Sequence, residues 1–367
     1  MRIIMGVPSI EVMRPKLPSL KVVQPWLEKM SETRTYSNFG PLTRLLEERY
    51  AQYLSVSPDQ VVTVANCTLG IQGAVSLSPA QEWLVPDFTF PATGLAVLTV
   101  SRRLVLADVD LQAWNLLAST LDTVPAMHGV LPVVPFGAPV DLHAWQSHEF
   151  VVIDAAASLG TQPDLGSLPT TWAVVFSLHA TKVLPAGEGG IVVFGDAQAA
   201  KHFRSWTNFG FMGSRGSQLP GTNAKMSEIH AAYALASLDE WPTERDEWLA
   251  AQRAAAASQA GQALPHVRGG IVTPSPYWIV DCGSRSTREL VEKELDAAGI
   301  GTRRWWSSGL HAMPAFQGSG GESSFPNTDS LSDSCLGLPM FRGIRPEQIS
   351  TIAEIVSETL NASHDAI

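Results

Sequence analysis

Short apolar runs recur along the first two thirds of the chain. Residues 61–64, 82–85, 104–106, 130–134, 150–153, 173–176 and 190–193 are rich in β-branched and aliphatic side chains, with turns or helix-length segments between them. Runs this short and this continuous predict strands that are apolar on both sides, as in a mostly parallel sheet covered by helices on both faces. Sheets of that kind place ligand sites at the carboxyl ends of their strands. Polar residues gather at those ends: Asn66 after the first run, Thr89 near the second, Asp154 after the fifth and Ser177 after the sixth.

Helical spacing fills other stretches. Leu42, Leu45, Leu46 and Tyr50 share one face of a helix predicted over 42–54. A second helix starts at Met226, runs through Ala231, Ala232, Leu235 and Leu238, and is bent or ended by Pro242. An alanine-rich helix is expected over 249–260, and residues 1–40, broken by Pro8, Pro15, Pro18 and Pro25, read as irregular. The last third carries a strand over 277–280, helices over 287–298 and 346–360, and a flexible-looking glycine-rich loop over 318–324. The expected division is a large α/β domain over 1–240 and a smaller α+β domain over 241–367. There is no internal repeat.

Composition narrows the classes. With 45% hydrophobic and 16% charged residues in 367, the chain can bury a large core. Its 25 Lys and Arg against 35 Asp and Glu give a net charge of −10, which argues against nucleic acid as a partner. No apolar stretch reaches the roughly 18–20 residues a membrane span needs. The first residues show no secretory signal. Three cysteines, Cys67, Cys282 and Cys335, lack metal-ligand spacing and make a disulfide framework improbable, so no metal and a reducing, cytoplasmic setting are expected.

Three segments carry candidate chemistry. In the first, Phe176-Ser177-Leu178-His179-Ala180-Thr181-Lys182 leads into Gly187-Glu188-Gly189-Gly190. A lysine between two apolar strands can be desolvated, which lowers its pKa and frees its amine to attack an aldehyde; a solvated surface charge is the plain alternative. In the second, Asp154 ends an apolar strand, where a carboxylate is costly unless paired. It reads either as a helix N-cap or as the partner of a pyridinium nitrogen, which it would keep protonated. In the third, Asn66-Cys67-Thr68-Leu69-Gly70 follows a strand and can open a helix whose first amides bind an anion such as phosphate.

Taken together, these segments resemble the DegT/DnrJ/EryC1/StrS family of sugar aminotransferases, in order from about residue 7 to residue 348. The resemblance also rests on Tyr36-Ser37-Asn38-Phe39-Gly40-Pro41, on Asp87-Phe88-Thr89-Phe90-Pro91, on Asn208-Phe209-Gly210, on Asn223-Ala224-Lys225-Met226-Ser227-Glu228 and on Gly299-Ile300-Gly301-Thr302-Arg303. It implies the aspartate-aminotransferase-like fold, fold type I of pyridoxal 5'-phosphate (PLP) enzymes, with pyridoxamine 5'-phosphate formed in the half-reaction. It implies that Lys182 carries the cofactor as a Schiff base and shuttles protons, while Asp154 pairs with the ring nitrogen. Phe90 would stack on the ring, and the amides of Cys67 and Thr68 with the Ser177 hydroxyl would hold the phosphate. Asn223 would reach the phosphate of a neighbouring subunit, which implies a homodimer with shared active sites. Set against these roles, Phe90 reads as a core side chain, Ser177 as a buried structural serine, Asn223 as a helix N-cap and Cys67 as a small apolar residue.

Two positions depart from the family. Ala157 stands three residues after Asp154, where His or Gln is common near the cofactor's 3-hydroxyl, and Val133-Val134-Pro135 precede Phe136-Gly137 where a His is common. His179, three residues before Lys182, would share a face with it on a helical turn and touch substrate, or serve as a hydrogen-bonded structural residue. Trp305 and Trp306 would line a sugar or nucleotide pocket, or pack between domains. The implied activity is transfer of an amino group from glutamate to a nucleotide-linked keto sugar, with a dTDP-4-keto-6-deoxyhexose the best match. A 3-keto sugar or keto-inositol would need the same machinery. Related dehydratases carry His in place of the lysine, so Lys182 argues for transamination. A PLP-binding regulatory protein without turnover is the rival of another class, and a nucleotide-dependent oxidoreductase lacks the Gly-x-Gly-x-x-Gly after the first strand.

Overall fold

In the computed structural model, which describes residues 9–122, 124–258, 260, 264, 267, 269–321 and 324–364, the apolar runs become one twisted sheet. Its strands are β1 (Val61–Val64), β2 (Glu82–Pro86), β3 (Arg103–Ala107), β4 (Gly129–Val130), β5 (Phe150–Asp154), β6 (Ala173–Ser177) and β7 (Gly190–Phe194). Strand β8 (Trp278–Asp281) lies outside this sheet, and β9 (Gly320–Gly321) completes the order β1-β7-β6-β5-β4-β2-β3-β9. Alternate residues of each strand enter opposite cores. Val61, Ile153, Val174 and Ile191 face one side, and Val62, Val152, Val175 and Val192 the other. Because both faces are buried, the strands lack a polar side, which is why they read as continuous apolar runs.

Helices cover each face. On the first side lie α1 (Leu20–Thr33), α2 (Pro41–Tyr53) and α7 (Glu228–Ala257); on the second lie α3 (Cys67–Leu77), α4 (Pro91–Thr99) and α6 (Ala197–Trp206). The short α5 is Ala118–Leu121. Among the described residues of this sheet, only β7 runs antiparallel to its neighbours, β1 and β6. An antiparallel neighbour can be reached by a short link rather than a crossover helix. That link, between Ser177 and Gly190, is the segment that contains Lys182.

Several expectations change. Residues 20–33, within the stretch expected to be irregular, form α1 with Pro25 inside it. Pro25 is exposed, so its missing amide and its ring are accommodated on the solvent side. Pro242 likewise neither ends nor divides its helix: α7 is continuous for 30 residues and absorbs the separate helix expected over 249–260. The expected domain boundary at 240 therefore falls inside α7. The run 130–134 is a strand only at Gly129–Val130, followed by a single bridge from Val133 to Asp154. The glycine-rich loop contains β9, paired in parallel with β3, while residues 322 and 323 lie outside the described residues. In the last third, β8 (Trp278–Asp281) pairs antiparallel with β10 (Cys335–Leu338). Around this pair lie α8 (Arg285–Ala297), α9 (Pro326–Ser334) and α10 (Pro346–His364).

Candidate active site

The carboxyl ends of β1, β5 and β6 converge with the start of β7. In register, Gly190 lies opposite both Val64 and Ser177. A Cβ on Gly190 would stand 3.0 Å from the Cys67 amide nitrogen and 3.1 Å from the Asn66 carbonyl carbon, so a side chain there would crowd the first turn of α3. Asn66 caps α3, its Oδ1 accepting the Leu69 amide at 2.9 Å. The amides of Cys67 and Thr68 donate to no acceptor among the described residues. Two free N–H groups at a helix N-terminus form a ready anion cradle.

Asp154 is the last residue of β5 and only 6% exposed. Its Oδ2 accepts the Thr93 hydroxyl at 2.7 Å, and its Oδ1 the Ala156 amide at 3.2 Å. Thr89 and Thr93 are joined through their hydroxyls at 3.0 Å; since Thr93 gives its proton to Asp154, Thr89 is the donor to Thr93. No helix starts at residue 154, so the N-cap reading fails. Burial pushes the Asp154 carboxyl above the usual range, against the lowering effects of Thr93, the Ala156 amide and Lys182.

The link after β6 folds back on itself. Leu178 N donates to Gly189 O at 2.9 Å, Ala180 N to Gly187 O at 2.9 Å and Lys182 N to His179 O at 2.9 Å. Gly187 sits at φ +86°, a conformation that favours glycine. Lys182 Nζ donates to the Tyr277 hydroxyl at 2.9 Å. Burial pushes its amine down, but Tyr277, Cys67 and Asp154 together outweigh this, and the net shift is upward. This corrects the expectation of a lowered pKa, which counted desolvation and missed the partners. Burial and Asp154 push the Cys67 thiol well up, against the lowering effect of Lys182.

The remaining residues fall as follows. Ser177 is buried at the end of β6, and its Oγ accepts the His179 amide at 3.2 Å. Phe90 is 61% exposed at the N-terminus of α4, where its carbonyl accepts the Thr93 amide, so it is not a core residue. His179 lies in a β-bridge and turn rather than a helix; its Nδ1 is 2.8 Å from Thr181 Oγ1 and its Nε2 3.8 Å from Glu188. Trp305 packs edge-on against Tyr277 at 5.2 Å, with the Arg303 guanidinium 4.8 Å over its ring. Trp306 stacks on Phe136 at 4.1 Å. Asn223 does not join this group: it is exposed, accepts from Lys225 Nζ at 2.7 Å and bridges to Asn208. Ser227, not Asn223, caps α7.

Sequence reasoning missed Tyr277 and Thr93. Thr93 follows Thr89 at a helical spacing of four, and Tyr277 sits between Pro276 and an apolar run; neither pattern reveals a partner so distant in sequence. The donor set fits PLP: free amides for a phosphate, a buried carboxylate for a ring nitrogen, an amine for the aldehyde, and an exposed aromatic ring at the start of the helix whose Thr93 holds Asp154. Lys182 and Asp154 would hold the two reactive ends of the ring, with Cys67, Thr68 and Ser177 at the phosphate.

The model of the DegT/DnrJ/EryC1/StrS aminotransferase family matches residues 22–357. The chain is 26% identical over 368 residues to dTDP-4-amino-4,6-dideoxy-D-glucose transaminase from Shigella dysenteriae, covering 95% of this chain and 98% of that protein. It is 27% identical over 341 residues to dTDP-3-amino-3,4,6-trideoxy-alpha-D-glucose transaminase from Streptomyces venezuelae, covering 87% of each. Among solved structures, DesI in the presence of its TDP-sugar product superposes with a TM-score of 0.83 and 30% identity, over 99% of this chain and 95% of DesI.

Proposed function

The chain belongs to the DegT/DnrJ/EryC1/StrS aminotransferase family, and from that premise we propose that it moves an amino group from glutamate to a nucleotide-linked keto sugar, a dTDP-4-keto-6-deoxyhexose first among them. The observation that carries this is the pairing of a buried, doubly hydrogen-bonded Asp154 with the Lys182 amine across one site. When bound, PLP supplies the electron sink that stabilises a carbanion beside the exchanging nitrogen. The chain's own residues do the rest. Asp154, fixed by Thr93, presents a carboxylate to a ring nitrogen. The first amides of α3 and the Ser177 hydroxyl would hold the phosphate, and the Phe90 ring would cover the cofactor. Lys182 Nζ would take a proton from the carbon that bears the exchanging nitrogen and return it at the other end of the C=N bond. His179 and Trp305 stand at the substrate side.

The dTDP-3-amino relative supports a 3-keto sugar as the second reading. A homodimer in a reducing cytoplasm completes the proposal. Asn223 is exposed beside Phe209, whose ring is 45% exposed with the Lys225 ammonium over it, a surface suited to a second copy. Purified protein loaded with PLP is expected to lose its visible absorbance when glutamate is added and to aminate one of a panel of nucleotide keto sugars, scored by mass spectrometry. Lys182→Ala should show neither. Bleaching without any aminated sugar would refute the substrate class.

A further inference from the structure

Lys182 Nζ has a single hydrogen-bond partner among the described residues, the hydroxyl of Tyr277. Tyr277 comes from the last third of the chain, 7% exposed, one residue before β8. It is held from several directions. The Gln252 side chain, on α7, donates to the carbonyls of Ser275 at 2.7 Å and Tyr277 at 2.8 Å. Ser275 Oγ donates to the Phe136 carbonyl at 2.7 Å and accepts the Tyr277 amide at 3.3 Å. The Tyr277 ring meets Phe136 edge-on at 5.1 Å and Trp305 at 5.2 Å. A phenylalanine would satisfy that packing equally well. The one atom a phenylalanine lacks is the oxygen, and in this structure it faces the Lys182 amine.

We propose that Tyr277 is a positioning residue for Lys182, its hydroxyl anchoring Nζ whenever that amine is released, so that its proton is delivered from one fixed place. The proposal rests on the reading of Lys182 as the cofactor lysine. Lysine reaches its target on four rotatable bonds, and holding a proton donor in one geometry is a large part of its catalytic value. The charged and titratable groups around the amine come from separate elements. Asp154 ends β5, Cys67 opens α3, and Tyr277 precedes β8. Arg14, Lys16, Glu244 and Arg342 line a small cavity that Lys182 also borders, the last two as an ion pair. Of these groups, Tyr277 opposes the effect of burial most strongly, so its removal lets burial draw the Lys182 amine toward its neutral form.

The test is Tyr277→Phe, which keeps the ring and both edge contacts. In the full-length, cofactor-free protein, competitive acetylation of Lys182 followed across pH by peptide mass spectrometry reads the amine directly. The midpoint is expected at lower pH in Tyr277→Phe than in the parent. In the loaded enzyme, kcat is expected to fall by about tenfold or more with KM for the keto sugar unchanged. Superposed labelling profiles overturn the proposal whatever kcat does. Lys182→Ala fixes the labelling background. A parent protein that never shows the absorbance of lysine-bound cofactor would overturn the transaminase reading and the positioning role that rests on it, whereas superposed labelling profiles in a protein that does show it overturn the positioning role alone.

Discussion

At the scale of single residues, the site is built from groups that are uncomfortable where they stand. Asp154 is a buried carboxyl whose pKa burial pushes up. A carboxyl raised in the folded state contributes most stability below the ordinary carboxylate range, and loses that contribution as pH rises through its raised value. Asp154→Asn removes the cost of an ionised carboxylate at neutral pH. The Lys182 charge offsets only part of that cost, since the net shift is still upward. The cofactor-free variant is therefore expected to melt about 2 °C or more above the parent at pH 7, with the gap closing as pH falls toward about 4. The same variant should lose transamination. A variant that melts lower at pH 7 in differential scanning calorimetry would contradict the burial argument. Backbone strain gathers near the same place: Trp114, Phe136 and Trp306 sit at φ 55°, 49° and 62°, and their rings pack together behind Tyr277. Left-handed geometry at a bulky residue costs about 1–3 kcal/mol, so the packing around these rings over-determines it. At this scale the sequence told much about Lys182 and Asp154, because an ionisable group ending an apolar run is visible without partners. Tyr277 and Thr93 were illegible because what matters about them is a contact made across the fold.

At the scale of elements, the anion cradle depends on how closely α3 can approach β7. Gly190 is the position that permits it. In Gly190→Ala, the start of α3 has to give by a few tenths of an ångström, with Val64 tight on the other side. The variant is expected to stay folded, at a cost of about 1 kcal/mol or more. Its affinity for PLP should drop about tenfold in an absorbance titration, because the Cys67 and Thr68 amides no longer point at one place. An unchanged Kd would show that the cradle tolerates the shift. Strands β1, β2, β3, β5, β6 and β7 were readable as short continuous apolar runs and α2 from its helical period, since both patterns follow from which faces are buried. The N-terminal helix and the full length of α7 were not. Pro25 and Pro242 look like breakers in a sequence, yet both are exposed, and packing on the opposite side of each helix outweighs the lost hydrogen bond. The glycines at 320 and 321 carry no strand pattern at all; only the free edge of β3 makes them a strand.

At the scale of the whole molecule, two buried aspartates stitch the last third of the chain onto the large sheet. Asp87, just past β2, accepts the His311 amide at 2.7 Å and faces its Nδ1 at 2.6 Å. Asp108, just past β3, accepts the amides of Asn327 at 2.9 Å and Thr328 at 2.8 Å, and the Thr328 hydroxyl at 2.9 Å. Asp108→Ala removes three bonds to one carboxylate and leaves buried donors without an acceptor. It is expected to destabilise the protein by about 3 kcal/mol in urea unfolding and to open the 326–334 segment, which those bonds hold, to protease. A loss below about 1 kcal/mol would mean that the apolar contacts hold this segment unaided.

The pairing of Gly320–Gly321 with β3 has a consequence for biosynthesis. The ribosome releases β3 long before its covering strand, so over that interval the backbone groups on one side of Val105 and Leu106 remain unmatched. A nascent chain in that state offers its neighbours on a polysome a template for mispairing, and the exposed Arg103 at the rim is the kind of charge that discourages it.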